Sequence, residues 1–298
     1  YSNVFVTHIE NNGVAEARNL GISLSRGNYL YFMDPDDFLS DDFFERISPQ
    51  FNKKWDVLCF GYNEIKENNN NILSCRSHTY SQTGILDKGE FRSCFVDLFK
   101  TDMMYNVWSR VYNKSFILKY DIKFPSRSVG EDTLFNFQVY QHLDNILFID
   151  STLYNYIAGR SGSALTSFHP KRIEIQLDEL QELRKLLEQF QLEDATLIQD
   201  IKTKIIISSV FQISNLKLRK QEKIELLQSI IANKAFDKIF SGNRNQLIGS
   251  YKTLLRQRDI SSFLRRLSID LLTKKKFRTV IFIEKMKMNP ILRKIAFK

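Results

Sequence analysis

The sequence predicts an α/β fold: a mostly parallel sheet flanked by helices, followed by an α-helical C-terminal region. Between residues 4 and 62, short apolar segments alternate with helical segments, an order typical of parallel strands covered by helices. After Pro170 glycine becomes scarce and leucines recur at helical spacing, as in Leu177, Leu180 and Leu183. We therefore expect a domain boundary near residue 166, with a first domain at 1–166 and a second at 167–298.

The elements of the first domain follow from periodicity and from residues that favour helix ends. The first helix is expected between Gly13 and Gly27. Ser40 is a good N-cap, and it predicts a second helix with Asp41 and Asp42 in its first turn. In chain order, strands are expected at Val4–Ile9, Tyr29–Met33, Trp55–Tyr62 and Asn145–Tyr156, and helices at Val14–Ser25, Ser40–Ile47, Lys88–Phe99 and Glu131–Leu143.

Composition argues against several classes of protein. At 298 residues, with 43% hydrophobic residues and 24 phenylalanines, the chain can bury a large core. Its three cysteines show no CxxC spacing, so neither a disulfide framework nor a zinc site is indicated, and a reduced cytoplasmic setting fits best. The strongest late apolar run, Val280–Ile283, is far shorter than the roughly 20 residues that a membrane-spanning helix needs.

The net charge of +9 is concentrated at the C-terminal end. Residues 251–298 contain 14 Lys or Arg against 3 Asp or Glu, so this segment carries +11 and the rest of the chain −2. Leucines alternate with these charges, as in a basic amphipathic helix that binds an anionic membrane surface at roughly 1 kcal/mol per cation; they are Leu264, Leu267, Leu271 and Leu272. A solvated lysine-rich helix explains the same pattern. No zinc-finger or RRM-type motif supports nucleic acid as a partner.

Three carboxylates follow the apolar segment Tyr29–Met33: Asp34, Asp36 and Asp37. In open α/β sheets, ligands bind at the carboxyl ends of the strands. Carboxylates are hard oxygen donors that suit Mg²⁺ or Mn²⁺ holding a phosphorylated substrate. Because an Asp-Pro pair also begins type I turns, a metal or phosphate site and an ordinary turn both remain open from the local pattern.

Several separated motifs resemble those of family 2 glycosyltransferases, the GT-A-fold bacterial enzymes that build capsular, cell-wall and lipopolysaccharide glycans. The match covers about residues 1 to 166 and keeps the family's order and spacing. The motifs are Asn12–Gly13, Ala17–Gly21, Gly27–Asp37, Val107–Tyr112 and Gly130–Asp132, with a weaker match at Arg160–Ser163. The resemblance implies a GT-A-like sheet and the transfer of a sugar from a nucleotide-diphosphate donor, expected to be a UDP-sugar, to a hydroxyl of a glycan or lipid-linked acceptor.

The resemblance also implies roles for the acids. In the family, such acids hold a divalent metal that bridges the nucleotide diphosphate, which implies Asp34 and Asp36 as ligands of Mn²⁺ or Mg²⁺. Asp37 beside them is expected to contact the metal, the ribose or the donor sugar. Asp132 matches the family's general base, and one carboxylate acting by single displacement implies inversion at the anomeric carbon. The helix dipole stabilises acids in a first turn, and that alternative explains Glu131 and Asp132 without catalysis.

Other residues are expected at the substrates on the same resemblance. Arg18 is expected near the nucleotide. Arg160 and Ser163 are expected near its phosphates, since Arg pairs with phosphate through two parallel hydrogen bonds. Trp108 and Glu131 are expected to contact the acceptor, with Trp108 as an aromatic wall. The alternative for Trp108 is a place in the core, which the residue type favours.

The family's opening part is not matched. Its Pro-x-Tyr-Asn-type turn and its Asp-Asp-Gly-Ser-type strand end have no counterpart here, and residue 1 corresponds to about the family's third strand. The GT-A-like sheet is therefore expected to be N-terminally incomplete. A non-catalytic remnant that binds glycan or a partner protein is the alternative to an active enzyme. Either form is expected in the cytoplasm, peripheral on the inner face of the cell membrane.

Overall fold

A computed structural model describes residues 3–68, 71–127, 129–159, 171–242, 254 and 260–287. The chain divides into two compact units. The first contains residues 1–165 and 182–192, and the second contains residues 166–181 and 193–298. The segment Glu182–Leu192 thus groups with the first unit although it follows residue 166, and the domain limits 1–166 and 167–298 stay a prediction.

The first unit combines strands and helices, and the α/β class that the sequence predicts is confirmed. A pair of reciprocal hydrogen bonds fixes the residue at which helix α3 begins. The Asp87 carboxylate accepts from the Glu90 N–H, and the Glu90 carboxylate accepts from the Asp87 N–H, which is a capping box. The helices are α1 Val14–Leu24, α2 Phe43–Ile47, α3 Lys88–Lys100, α4 Lys114–Lys119 and α5 Glu131–His142; the strands are β1 Tyr29–Tyr31, β2 Phe38–Leu39, β3 Val57–Asn68, β4 Asn71–His78, β5 Gly84–Asp87, β6 Arg110–Asn113 and β7 Asn145–Ala158.

The sheet is mixed, which corrects the mostly parallel arrangement that the sequence predicts. Its strands lie in the order β1-β6-β3-β7-β2, with β4 paired to β3 and β5 to β7. Of the pairs formed by described residues, β3 with β7 is parallel and the other five are antiparallel. Strands β1, β3 and β7 do run in one direction, as their alternation with helices predicts. Strand β6 lies antiparallel between β1 and β3, and its four residues are too few for periodicity to reveal it.

Two elements predicted near the N-terminus of the chain differ from the structure. The segment Val4–Ile9 forms no strand within the described residues, and its apolar side chains are exposed. Alternating apolar residues make a strand only where a neighbouring strand accepts their backbone hydrogen bonds. Helix α2 begins at Phe43 and not at Ser40, because Phe38–Leu39 pairs with β7 and the Ser40 N–H continues this pairing by donating to the Leu153 carbonyl (3.0 Å).

The second unit is helical, as predicted. Helix α6 spans Arg172–Gln189, so its last residues belong to the first unit; the other helices are α7 Ala195–Asn215, α8 Lys220–Ala232, α9 Asp237–Ser241, α10 Ile260–Thr273 and α11 Phe277–Met286. Their buried residues form one core, which includes Ile206, Leu227, Phe236, Ile269, Leu272 and Val280. None of the described helices combines the length and the hydropathy that crossing a membrane requires.

The leucines of the basic segment lie differently from the prediction. Leu272 is fully buried in the core of the second unit, and Leu271 packs against that core. Leu264 and Leu267 are half-buried. The apolar face of α10 is therefore used within the protein, because the neighbouring helices supply the apolar surface that a membrane would otherwise offer.

Candidate active site

Three carboxylates from two distant parts of the chain meet at the guanidinium group of Arg18. Its Nη2 lies 3.0 Å from Asp34 Oδ1, and its Nη1 lies 3.1 Å from Glu131 Oε1 and also contacts Asp132 Oδ1. The Arg18 side chain is 13% exposed, so these ion pairs are largely shielded from water. One cation does not balance three carboxylates, and the cluster keeps an excess of negative charge when all three are ionised.

Helix α1 brings Arg18 to this point because the next residue fastens the helix to the segment before α5. Asn19 Nδ2 donates to the Phe124 carbonyl (2.8 Å), and the Phe124 N–H donates to Asn19 Oδ1 (2.9 Å). The Arg18 guanidinium lies over the Phe124 ring, 5.3 Å from its centroid. The Phe124 ring stacks on that of Phe135 at 4.0 Å. Two hydrogen bonds and a stacked aromatic pair thus fix the position of the cation.

The first turn of α5 supplies Glu131 and Asp132. Gly130 precedes the helix with φ 82°, a left-handed conformation that glycine adopts without strain. Further along the helix, the buried Asn136 accepts from the Tyr112 hydroxyl (2.8 Å) and donates to the carbonyls of Tyr105 and Asn106. These bonds hold α5 against β6, so the two acids point at Arg18 from a rigid element.

Burial raises the pKa of Asp132 to about 7. Removal from water disfavours the carboxylate, and this outweighs the attraction of the Arg18 cation, which acts in the opposite direction. The negative charges of Glu131 and Asp34 raise the pKa further. A carboxyl group that titrates near neutral pH is suited to accept a proton during a reaction.

The acidic loop after β1 separates into one buried and two more accessible carboxylates. Asp37 is buried: its Oδ2 accepts from the Tyr154 hydroxyl (2.6 Å) and its Oδ1 accepts from the Ile157 N–H (2.8 Å). Burial raises the pKa of Asp37, although both hydrogen bonds oppose this. Asp34 is half-buried and Asp36 is exposed. Asp37 therefore fastens the loop to β7, and Asp34 and Asp36 are the more exposed acids of the loop.

Asp34 and Asp36 are the residues of the acidic loop that could hold a divalent cation. Mg²⁺ is usually bound through one or two carboxylates together with substrate phosphates and water. Within the described ranges, no group of three or more His, Cys, Asp or Glu side chains has the arrangement to hold an ion by itself. A divalent metal held by Asp34 and Asp36 therefore stays a prediction.

Trp108 lies in an aromatic stack, as the core alternative predicts for this residue type. Its ring stacks on Tyr154 at 4.5 Å and on Tyr156 at 5.6 Å, and Tyr62 meets it edge-on at 4.7 Å. The side chain is buried. Whether Trp108 also touches an acceptor stays a prediction, as do the substrate contacts of Glu131, whose carboxylate lies against Arg18.

Two predicted donor contacts, Arg160 and Ser163, lie outside the described residues. Sequence reasoning overlooked Tyr154, whose hydroxyl donates to Asp37 and accepts from the Asp34 N–H (3.3 Å). Tyr154 lies near the carboxyl end of the predicted strand Asn145–Tyr156. The rule that led to the acidic loop, that ligands bind at the carboxyl ends of strands, would have indicated it as well.

The sequence matches a family model over the part that contains the acidic loop and Arg18. Residues 1–119 match the model described as glycosyl transferase family 2. This match confirms the resemblance to glycosyl transferase family 2 that the motifs of this part of the chain indicate. The family match agrees with the GT-A-like class expected for the first domain.

Curated relatives agree with the family. The chain is 24% identical over 153 residues to the uncharacterized glycosyltransferase EpsJ of Bacillus subtilis, which covers 51% of this chain and 44% of that protein. It is 26% identical over 155 residues to the putative glycosyltransferase EpsH of the same organism, a match that covers 51% of this chain and 43% of EpsH. The chain thus spans less than half the length of these relatives. A crystal structure of S. aureus TarS 1–349 in complex with UDP-GlcNAc has a TM-score of 0.43 at 15% identity, covering 95% of this chain and 74% of that one.

Proposed function

We propose that this protein is an inverting glycosyltransferase that moves a sugar from a nucleotide-diphosphate donor, a UDP-sugar, to a hydroxyl of a glycan or lipid-linked acceptor. The observation that supports it most is the meeting of Asp34, Glu131 and Asp132 at Arg18, in a chain with a family 2 sequence. The cluster brings Asp34, one of the two proposed metal ligands, close to Asp132, an acid with a pKa near neutrality. A metal ligand for the diphosphate and a base for the acceptor hydroxyl are the two roles that this proposal needs.

On the donor side, Asp34 and Asp36 would hold Mn²⁺ or Mg²⁺ together with the diphosphate. When bound, the metal supplies a Lewis acid that stabilises the negative charge of the departing nucleoside diphosphate. Tyr154 and Asp37 keep the loop in place, so Asp37 is a positioning residue in this proposal. Arg18 lies against Asp34 and would also be within reach of a donor phosphate. Arg160 and Ser163 are proposed as donor contacts from the sequence resemblance alone.

On the acceptor side, Asp132 would take the proton from the attacking hydroxyl. Its pKa near 7 lets it be ionised before the attack and protonated after it. The hydroxyl oxygen forms the new bond to the anomeric carbon as the bond to the diphosphate oxygen breaks. A single displacement of this kind inverts the configuration at that carbon, by the logic known for inverting hydrolases. Glu131 and Trp108 are proposed at the acceptor.

The proposal is tested first by isothermal titration of UDP with and without Mn²⁺. We expect metal-dependent binding that is lost in Asp36→Ala and retained in Asp41→Ala, an exposed acid of the same loop region outside the cluster. Absence of binding to the folded wild-type chain would contradict the donor site. It would favour the alternative of a non-catalytic remnant that binds glycan or a partner protein.

The second test separates catalysis from donor binding. In Asp132→Asn, metal-dependent hydrolysis of a UDP-sugar or its transfer should fall by about 10²–10⁴, the usual contribution of a general base. UDP binding should stay within a few-fold of the wild type. Turnover that is unchanged in this variant would remove Asp132 from the mechanism and leave the donor site intact.

Peripheral attachment to the inner face of the cell membrane is part of the same proposal. A lipid-linked acceptor would be presented at that surface. The support is the charge of +11 carried by residues 251–298, since anionic lipids attract such segments. The buried leucines of α10 give it no support, because they belong to the core of the second unit.

A further inference from the structure

We propose that the outward face of helix α11 is the surface that docks on anionic lipid. This face is formed by Arg278, Phe282, Lys285 and Met286, with Lys274–Lys276 in the turn before the helix. The four helical positions are spaced by three and four residues, so their side chains lie on one side of the helix. This inference rests on the membrane attachment proposed above and does not depend on sugar transfer. A negative result in vesicle binding would therefore contradict the docking surface, whereas a negative result in turnover would contradict the proposed enzyme activity.

The opposite side of α11 is fully used within the second unit. Phe277, Val280 and Ile281 are buried in its core, and Glu284 is also buried. Glu284 Oε1 accepts from the Ser268 hydroxyl (2.6 Å) on α10 and from Lys287 Nζ (2.6 Å). Packing and polar contacts therefore fix which side of α11 faces water, and the outward face is a stable feature of the fold.

The exposure of Phe282 is not explained by a solvated, lysine-rich helix end. Its side chain is 62% exposed, and Met286 one turn later is 39% exposed. Lysines near the carboxyl end of α10 complement its helix dipole, so Lys274–Lys276 alone would be an ordinary helix end. A large aromatic residue and a methionine along the same stripe as Arg278 and Lys285 form a surface with apolar centre and basic rim.

An anionic membrane is the partner whose chemistry matches this surface. Interfacial helices insert aromatic and aliphatic side chains to the depth of the headgroups while their cations contact anionic lipid. The surrounding segment adds to the attraction, since residues 251–298 carry +11. Charge complementarity and exposed apolar side chains thus indicate the same partner.

Co-sedimentation of the full chain with vesicles tests the proposal. The vesicles contain phosphatidylglycerol and phosphatidylcholine in equal proportion, and vesicles of phosphatidylcholine alone serve as the comparison. We expect binding to the anionic vesicles that weakens with added salt. Phe282→Ser and Lys285→Glu should each weaken it by about tenfold, from the loss of inserted apolar surface and from reversal of one cation.

Two matched controls separate this face from the general properties of the chain. Phe44→Ser removes a helical phenylalanine that is 72% exposed in the first unit. Lys53→Glu changes the net charge by the same amount as Lys285→Glu, at an exposed position more than 200 residues before α11 in the sequence. Both controls should bind vesicles like the wild type, and thermal melts should show that all four variants are folded.

Three results would overturn the proposal. Vesicle binding that is equal in wild type, Phe282→Ser and Lys285→Glu would exclude the α11 face. Equal binding to neutral vesicles would exclude recognition of anionic lipid. If Phe282→Ser instead changed the sedimentation coefficient from that of a dimer to that of a monomer, with vesicle binding unaltered, the face would be a contact between two copies of the chain.

Discussion

Two arginines of the first unit are both shielded from water, yet their surroundings differ completely. Arg18 faces three carboxylates. Arg110 is fully buried and faces neutral acceptors: the Met103 carbonyl (2.7 Å), Asn106 Oδ1 (2.8 Å) and carbonyl, and the Tyr80 hydroxyl (3.3 Å). No carboxylate among the described residues forms an ion pair with Arg110. The two cations therefore have different roles.

The difference shows how a site is distinguished from a structural support. The hydrogen bonds of Arg110 join the Met103–Asn106 loop to the end of β6, and a closed environment leaves no access for a ligand. Around Arg18 the carboxylates exceed the cation in charge, and Asp34 is only half-buried. An accessible excess of negative charge attracts a divalent cation, whereas a buried cation with neutral acceptors only stabilises the fold.

The largest effect is expected for Arg110→Met. Removing the guanidinium leaves several buried acceptors without a donor, at about 1–3 kcal/mol each. We expect the free energy of unfolding to fall by about 3–5 kcal/mol. Urea denaturation followed by tryptophan fluorescence measures it, because both tryptophans, Trp55 and Trp108, lie in the first unit. A loss below about 1 kcal/mol would mean that the loop finds other donors.

Arg18→Met should be milder and should depend on pH. At pH 8 the three carboxylates repel each other without the cation, and we expect a loss of about 2 kcal/mol. The loss should shrink as the pH falls, because protonation removes the repulsion. Mn²⁺ should raise the melting temperature of this variant more than that of the wild type. A pH-independent loss would show that Arg18 stabilises the fold independently of the charge on the carboxylates, as Arg110 does through its neutral acceptors.

The pH dependence of the wild type tests Asp132 itself. Between pH 4 and 7 the folded chain holds a proton on Asp132 that the unfolded chain has released, since the folded pKa is about 7 against an ordinary 3.8. The unfolded state therefore binds fewer protons, and stability falls as the pH rises through this range. Asp132→Asn should lack the decline and be more stable than the wild type at pH 8, by about 1–3 kcal/mol. Identical pH profiles for the two proteins would contradict the raised pKa.

Tyr154→Phe should give the smallest change. It removes the hydroxyl that donates to Asp37 and accepts from the Asp34 N–H, without removing ring packing. We expect a loss of about 1 kcal/mol in stability and a modest weakening of metal-dependent UDP binding, because the loop becomes less fixed. Tyr156→Phe is the matched control, since it keeps the neighbouring ring and should leave UDP binding unchanged. Equal effects in both variants would show that Tyr154 does not position the loop.

Three helices of the first unit could be predicted closely, but the pairing of its strands could not. Helices α1, α3 and α5 begin and end within one or two residues of the prediction, because caps and a period of 3.6 are local properties. The direction of β6 and the absence of a strand at Val4–Ile9 depend on which segments become neighbours. Two-residue periodicity shows that a segment can pair, but it does not reveal a partner.

The sequence by itself determined the α/β class of this protein, its acidic loop and its resemblance to glycosyl transferase family 2, because motif order and helix periodicity depend on local residue types. Tertiary structure decided which acids act together. Only folding brings Arg18 to Glu131 and Asp132, more than 110 positions away, buries Asp37, and raises the pKa of Asp132 by removing it from water. Tertiary structure also placed Leu272 of α10 in a core and left Phe282 of α11 at the surface. An amphipathic sequence pattern predicts an apolar helix face, but it does not reveal whether protein, lipid or water lies against that face.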